Sequence, residues 1–246
     1  MTNGAAVPEQ VDAGAIESSI SPLIGVLTLA GRFFARGMTR VSVEGAIDAI
    51  PAEGPVILAS NHASNFDPIV IGSWLTPRLR RRIHWLGKRE LFDWPIVGWA
   101  AREGGVHPVD RGTADLDAFR MAQRILAEGQ VLMVFPEGTR SPDGVLGVGR
   151  DGVAVLALRT GAPIVPIGVA GSNRVWPKGA TLPRPGGRVT LRVGQPFFLA
   201  DHLPVGTGRK DAKRLATELI MDRIGDLLPP AQRGRYGSPT GLPPGS

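Results

Sequence analysis

Histidine and aspartate five residues apart, between an apolar run and a second apolar run, can make a general base. Ser60-Asn61-His62-Ala63-Ser64-Asn65-Phe66-Asp67-Pro68 has this form. Val56-Ile57-Leu58-Ala59 before it reads as a buried strand, and Ile69-Val70-Ile71-Gly72-Ser73-Trp74-Leu75 after it reads as a helix. In one continuous helix, residues five apart point about 140° away from each other. His62 and Asp67 therefore meet only if the chain turns between them, and Ser64 and Asn65 suit a turn. Pro68 is tolerated at the first helical position, which places Asp67 as the N-cap. An imidazole oriented by a carboxylate has a fixed tautomer and can accept a proton. The ordinary alternative is a surface turn with a capping aspartate.

Two more charged turns follow strand-like runs. Gly104-Gly105-Val106-His107-Pro108-Val109 ends in Asp110-Arg111, and Val131-Leu132-Met133-Val134-Phe135 ends in Pro136-Glu137-Gly138-Thr139-Arg140-Ser141. Arg111 and Arg140 offer forks of donors that match a phosphate. Gly138 permits close backbone approach, and Thr139 and Ser141 supply hydroxyls. A base beside a phosphate clamp suits a substrate that carries both a hydroxyl and a phosphate. Taken singly, each arginine is as well explained by a surface ion pair.

The elements that must position these turns alternate between strand and helix. Strand-like runs lie at 40–45, 55–60, 83–87, 104–111, 131–135, 162–169 and 189–193. Helical runs lie at 67–76, 113–128, 149–160 and 210–228, and another begins at Lys88. Such alternation predicts an α/β fold with a mainly parallel sheet flanked by helices. Ligand sites in such sheets gather at the carboxyl ends of strands, where all three turns fall. Pro163 and Pro166 predict an edge position or irregular ends for the 162–169 strand. On the last helix, Leu215, Leu219, Ile220, Ile224 and Leu227 form the expected apolar face. Residues 1–18 and 229–246 read as flexible tails. Residues 19–38 form an apolar helical segment ending Arg32-Phe33-Phe34-Ala35-Arg36. It is too short to span a bilayer and is suited either to a membrane interface or to packing on the core. No signal peptide is expected, because Met1 to Ser19 is small, polar and acidic.

Composition bounds the function. The 246 residues include no cysteine, which removes disulfides, thiolate metal sites and a cysteine nucleophile. Lysine and arginine exceed aspartate and glutamate by 28 to 22, and the pI is about 10.6, favouring anionic partners. The run Pro77 to Arg82 is either a solvated basic face or a docking site for an anion or an acidic carrier. Aromatic residues sit in apolar rather than basic runs, which argues against nucleic acid. The four histidines show no metal-ligand spacing.

Asn61-His62-x4-Asp67 resembles the first block of the glycerolipid acyltransferases of the 1-acylglycerol-3-phosphate acyltransferase type. Phe135-Pro136-Glu137-Gly138-Thr139-Arg140-Ser141 resembles their third block, and Gly105 to Arg111 their second, although His107-Pro108 departs from its pattern. Ile164 to Val169 is similar to the fourth, and Lys88-Arg89-Glu90-Leu91 with Pro95 and Gly98 is also similar to the family. The resemblance implies an acyltransferase domain over 39–228 and a membrane-associating helix at 19–38. It implies transfer of an acyl group from acyl-CoA or acyl-carrier protein, as co-substrate with no other cofactor, to the hydroxyl of a lysophospholipid in phospholipid biosynthesis. The first expected acceptor is 1-acylglycerol 3-phosphate; glycerol 3-phosphate and other lysolipids are alternatives. By position, His62 and Asp67 are catalytic, and Lys88, Asp110, Arg111, Glu137, Gly138, Thr139, Arg140 and Ser141 bind substrate. Glu137 is expected to meet a glycerol hydroxyl or orient Arg140. The N–H groups after His62 are candidates for an oxyanion hole. The region 91–100 lines an acyl groove or packs in the core. The expected location is peripheral, on an anionic cytoplasmic membrane face. A hydrolase using the same pair is the alternative of another class.

Overall fold

The structure, a computed structural model, describes residues 16–17, 19–109 and 114–237. Seven strands, β1 (Arg40–Gly45), β2 (Val56–Ser60), β3 (Ile83–Lys88), β4 (Val106–Val109), β5 (Val131–Val134), β6 (Ile164–Ala170) and β7 (Arg188–Val193), form one sheet. Its order is β1-β7-β6-β2-β5-β3-β4. The helices are α1 (Pro22–Met38), α2 (Asp67–Leu79), α3 (Pro95–Glu103), α4 (Ala114–Ala127), α5 (Gly152–Thr160), α6 (Ser172–Val175) and α7 (Arg209–Asp226). All strand pairings are parallel except that of β6 with β7. The expected α/β sheet flanked by helices is therefore present, with one antiparallel junction.

Strand periodicity builds a core on each face. Val56 and Leu58 point to one side, where they join Phe66, Ile71 and Leu75 around α2. Ile57 and Ala59 point to the other, where they join Ile125, Leu156 and Ile220 from α4, α5 and α7. A strand buried on both faces reads as the unbroken apolar run seen in the sequence.

Several expectations change. The 162–169 strand is not at an edge: β6 lies between β7 and β2. Pro166 is accommodated where the β7 ladder ends. Its carbonyl accepts from Gly194 N (2.8 Å), and Ile164 bridges Phe197 beyond that break, so no ladder donor is missed there. On α7 the fully buried line is Ala216, Thr217, Ile220, Met221 and Ile224; Leu215, Leu219 and Leu227 are only half-buried at its flank. Residues 229–237, expected to be loose, pack on the domain. Gln232 Nε2 donates to Gly144 O (2.9 Å), and Tyr236 is buried. Residues 1–15 lie outside the described residues.

The 77–82 run is divided: Arg78 and Arg80 are exposed, whereas Arg81 and Arg82 are engaged by the domain. Arg81 donates to the carbonyls of Pro51, Gly54 and Gly129. Arg82 is buried and donates to those of Arg102 and Glu103. Both lie at the amino end of β3, away from the strand ends that carry the charged turns.

Helix α1 packs on the domain by one side and leaves an apolar outer side exposed. Its inner side packs on α2: Ile24 and Ala35 are buried, Arg32 Nε donates to Ser73 O (2.8 Å), and Phe34 contacts Phe66. A Cβ on Gly31 would overlap the Ser73 side chain, so glycine permits that approach. The outer side leaves Val26, Leu29 and Phe33 exposed, Phe33 at 70%. Among the described residues, no helix is long and apolar enough to cross a membrane.

Candidate active site

The His62 turn begins where β2 ends. Asn61 is buried, and its side-chain amide is matched to the backbone of Val169 in β6. Nδ2 donates to the Val169 carbonyl (3.0 Å), and Oδ1 accepts from its N–H (2.7 Å). His62 is then gripped on both sides of its own backbone. Its N–H donates to Glu137 Oε1 (2.7 Å), and its carbonyl accepts from Ser141 N (2.7 Å). The imidazole stacks on Phe135, with ring centroids 3.9 Å apart and planes 14° apart.

Asp67 is fully buried. Its Oδ2 accepts from His62 Nδ1 (2.9 Å), Ala63 N (2.8 Å) and Ser64 N (2.8 Å). A carboxylate can only accept, so Nδ1 carries the proton and Nε2 presents a lone pair. Among the described residues no group bonds Nε2. The predicted His–Asp pair is thus assembled through a turn, as the spacing required. Two expectations fail with it. Asp67 is not the N-cap; Phe66 holds that position, and the Asp67 carboxylate turns back to His62. The Ala63 and Ser64 N–H groups are not an oxyanion hole, because Asp67 already occupies both.

Glu137 corrects a second assignment. It is buried, with Oε1 on His62 N and Oε2 accepting from Gly147 N (2.8 Å). Its bonded partners are these two backbone N–H groups, and Arg140 is held by Asn65 instead of by Glu137. It ties the loop after β5 to the turn after β2. Burial pushes its carboxyl above the ordinary range, opposed by these two N–H bonds. A Cβ at Gly147 would press on Glu137 Oε2, so glycine is needed for that approach.

The remaining predicted residues divide. Arg140 Nη1 donates to Asn65 Oδ1 (2.7 Å), which sets its guanidinium beside the His62 turn. Gly138 has φ +68°, and Arg150 packs against the space its Cβ would fill. Gly138 and Thr139 are exposed at the tip of that turn. Ser141 is not a substrate hydroxyl. Its Oγ donates to Asp143 Oδ1 (2.8 Å) and accepts from Gly144 N (2.9 Å), building the next turn. Lys88 is exposed at the carboxyl end of β3, two strands from β2. Asp110 and Arg111 lie outside the described residues. The region 91–100 is not core: Trp94, Ile96, Val97 and Trp99 are exposed, Ile96 at 80%.

Sequence reasoning missed Phe135, Asn61, Gly147 and Arg150 as parts of this site. Asn61 and Phe135 flank the chemistry-bearing residues in the two most informative segments, and that adjacency was the available signal. Gly147 and Arg150 carry none, since only the fold returns them to the 137–140 turn.

Residues 40–170, more than half of the chain, match the family model described as Acyltransferase. A chloroplastic 1-acyl-sn-glycerol-3-phosphate acyltransferase of Arabidopsis thaliana is 32% identical over 143 residues, covering 57% of this chain and 39% of that protein. The chain thus spans about two fifths of that relative's length. A 1-acyl-sn-glycerol-3-phosphate acyltransferase of Pseudomonas aeruginosa is 31% identical, covering 82% of this chain and 75% of that protein. The crystal structure of the 1-acyl-sn-glycerophosphate acyltransferase PlsC from Thermotoga maritima superposes with a TM-score of 0.66 at 27% identity. It covers 88% of this chain and 82% of its own.

Proposed function

Because the chain belongs to the acyltransferase family, we propose that it transfers an acyl group from a thioester to the free hydroxyl of a lysophospholipid. The first acceptor is 1-acylglycerol 3-phosphate, giving phosphatidic acid. The observation that carries this reading is His62, with Nδ1 fixed on Asp67 at 2.9 Å and Nε2 left for a substrate proton. In the reaction His62 Nε2 takes the hydroxyl proton as the acceptor oxygen bonds the thioester carbonyl carbon. The tetrahedral centre then collapses, the C–S bond breaks, and the imidazolium returns its proton to the leaving thiolate. Asp67 stabilises the charged imidazolium between these steps. No acyl-enzyme is required, in keeping with a chain that has no cysteine.

Arg140, held beside the turn by Asn65, binds the acceptor phosphate. Arg111 is assigned to the same phosphate on its motif. The acceptor resides in a bilayer, and the exposed outer face of α1 supports a peripheral protein that rests on an anionic, cytoplasmic membrane surface. Acyl-CoA and acyl-carrier protein are the candidate donors. A turnover assay that crosses lysophosphatidic acid, glycerol 3-phosphate and other lysolipids with both donors tests this. Phosphatidic acid formation is expected; thioester loss independent of any acceptor would identify a hydrolase instead.

A further inference from the structure

A second basic feature lies on the same edge of the sheet as His62. The end of α1 and the start of β1 face the loop before β7 across an open groove of about 700 Å³. Arg36, Arg40, Gly186, Gly187 and Arg188 are among its lining residues. All three arginines are exposed, and no described carboxylate pairs with them. Its two walls come from the two longest acid-free stretches that reach this edge. No aspartate or glutamate occurs between Glu17 and Glu44, or between Asp151 and Asp201.

The strand register makes the point sharper. In the β1–β7 pair, Glu44 stands opposite Arg192 and bonds it at 3.0 Å. At the other end of the same ladder Arg40 stands opposite Arg188. Like charges in directly opposed positions oppose folding. An anion between them would reverse that repulsion, as Glu44 does for Arg192.

Topology connects the groove to the chemistry. Because β7 runs antiparallel to β6, Thr190 faces Ala170, next to the Val169 that holds Asn61. The start of β7 therefore lies at the edge of the sheet where the His62 turn lies. It is offset sideways by two strands, about 10 Å, and β1 by three, about 14 Å. The 171–187 loop covers the interval. It bridges Ser64 at Pro177, and Gly186 N donates to Met38 O (2.7 Å) at the groove.

We propose that this groove binds the nucleotide phosphates of a coenzyme A thioester, whose pantetheine arm crosses the 171–187 loop to deliver the carbonyl to His62. The inference rests on the acyltransferase reading and names its donor. The groove's volume lies in the range of small-molecule sites, and its opposed arginines match compact phosphate groups.

The test uses the whole chain and the variants Arg40→Gln, Arg188→Gln and both together. Calorimetry measures binding of coenzyme A, 3′-dephospho-coenzyme A and pantetheine. The wild type should bind them in that descending order. The double variant should lose roughly ten-fold to a hundred-fold in coenzyme A affinity. Its melting temperature should be no lower than the wild type's, since a repulsion is removed. The ratio of kcat/KM for acyl-CoA over acyl-pantetheine should fall by the same factor, with the acceptor KM held. Unchanged coenzyme A affinity in the double variant overturns the proposal. So does a loss confined to phosphatidylglycerol vesicle binding, which would assign the groove to lipid headgroups, or to use of acyl-carrier protein. If the wild type transfers acyl groups but does not bind coenzyme A, this inference fails and the acyltransferase reading stands. Arginine-dependent coenzyme A binding without any transfer leaves the groove standing and removes that reading.

Discussion

At the scale of the residue, the site depends on what two buried carboxylates bond. Asp67 spends one oxygen on three donors, and Glu137 divides two oxygens between two backbone N–H groups. His62→Ala removes the nitrogen that, among the described residues, is placed to take the acceptor proton. Turnover should fall by about 10²–10⁴-fold with the fold retained, as judged by circular dichroism and thermal melting. A folded His62→Ala protein with near-normal turnover would remove the proposed base. Glu137→Gln tests the clamp. A glutamine side chain has one acceptor and one donor group, so either His62 N or Gly147 N loses its partner, at a cost of about 1–3 kcal/mol. The expected result is a lower melting temperature and a lower kcat, with a smaller change in acceptor KM than Arg140→Ala causes. A selective rise in acceptor KM would instead mean that Glu137 touches substrate. The pairing of His62 with Asp67 was legible because two residue types at one spacing admit a single useful geometry. The engagement of Glu137 was not, because its partners are backbone groups, and every residue but proline has an N–H.

At the scale of the element, the β3–β4 pair carries a pH-dependent feature outside the site. His84 on β3 is buried, and its Nδ1 lies 3.0 Å from Nε2 of His107 on β4. Burial, then His107 and Arg82, lowers the His84 pKa to about 4; burial, then Arg82 and Arg124, lowers that of His107. The Glu17 backbone, through a hydrogen bond, and the Glu128 carboxylate, beyond α4, act in the opposite direction and raise the His84 value. The folded pKa lies below the unfolded value of 6.5. Between about pH 6.5 and 4 the unfolded chain therefore binds a proton that the folded chain does not. Stability should fall as pH drops through that window, by at most about 1.4 kcal/mol per pH unit for His84. Urea unfolding across the window checks this. The variant His84→Leu/His107→Leu should show a shallower slope; an equal slope would place the proton uptake elsewhere.

At the scale of the whole molecule, the question is which side meets the bilayer. Helix α1 is anchored to α2 by its inner face, while Val26, Leu29 and Phe33 point away from the domain. Phe34 belongs partly to the core through its contact with Phe66. The outer face should therefore be tested without Phe34. Leu29→Ser/Phe33→Ser should lower binding to anionic vesicles and activity on bilayer-embedded acceptor, while activity on a short-chain soluble acceptor survives. Equal loss on both acceptors would assign these side chains to the fold. Unchanged vesicle binding would move the membrane contact to another surface, with exposed Trp94, Ile96 and Trp99 on and beside α3 the first to examine.

The sequence by itself determined the alternation of strands and helices and the two-sided burial of β2, and it offered the meeting of His62 with Asp67 beside a plain capped turn. These are local matters: strand and helix periodicity act over a few residues, and a five-residue spacing closes through one turn. Only the tertiary structure decided what lies next to what. It put proline-bearing β6 inside the sheet, because a ladder break at Gly194 removes the demand for its donor. It used Arg81 and Arg82 to satisfy carbonyls rather than partners. It also set Arg40 against Arg188 across a stretch of 148 residues, a charge repulsion visible only once the strands are paired. Contacts between segments far apart in the chain depend on strand order, which no local pattern of residue types encodes.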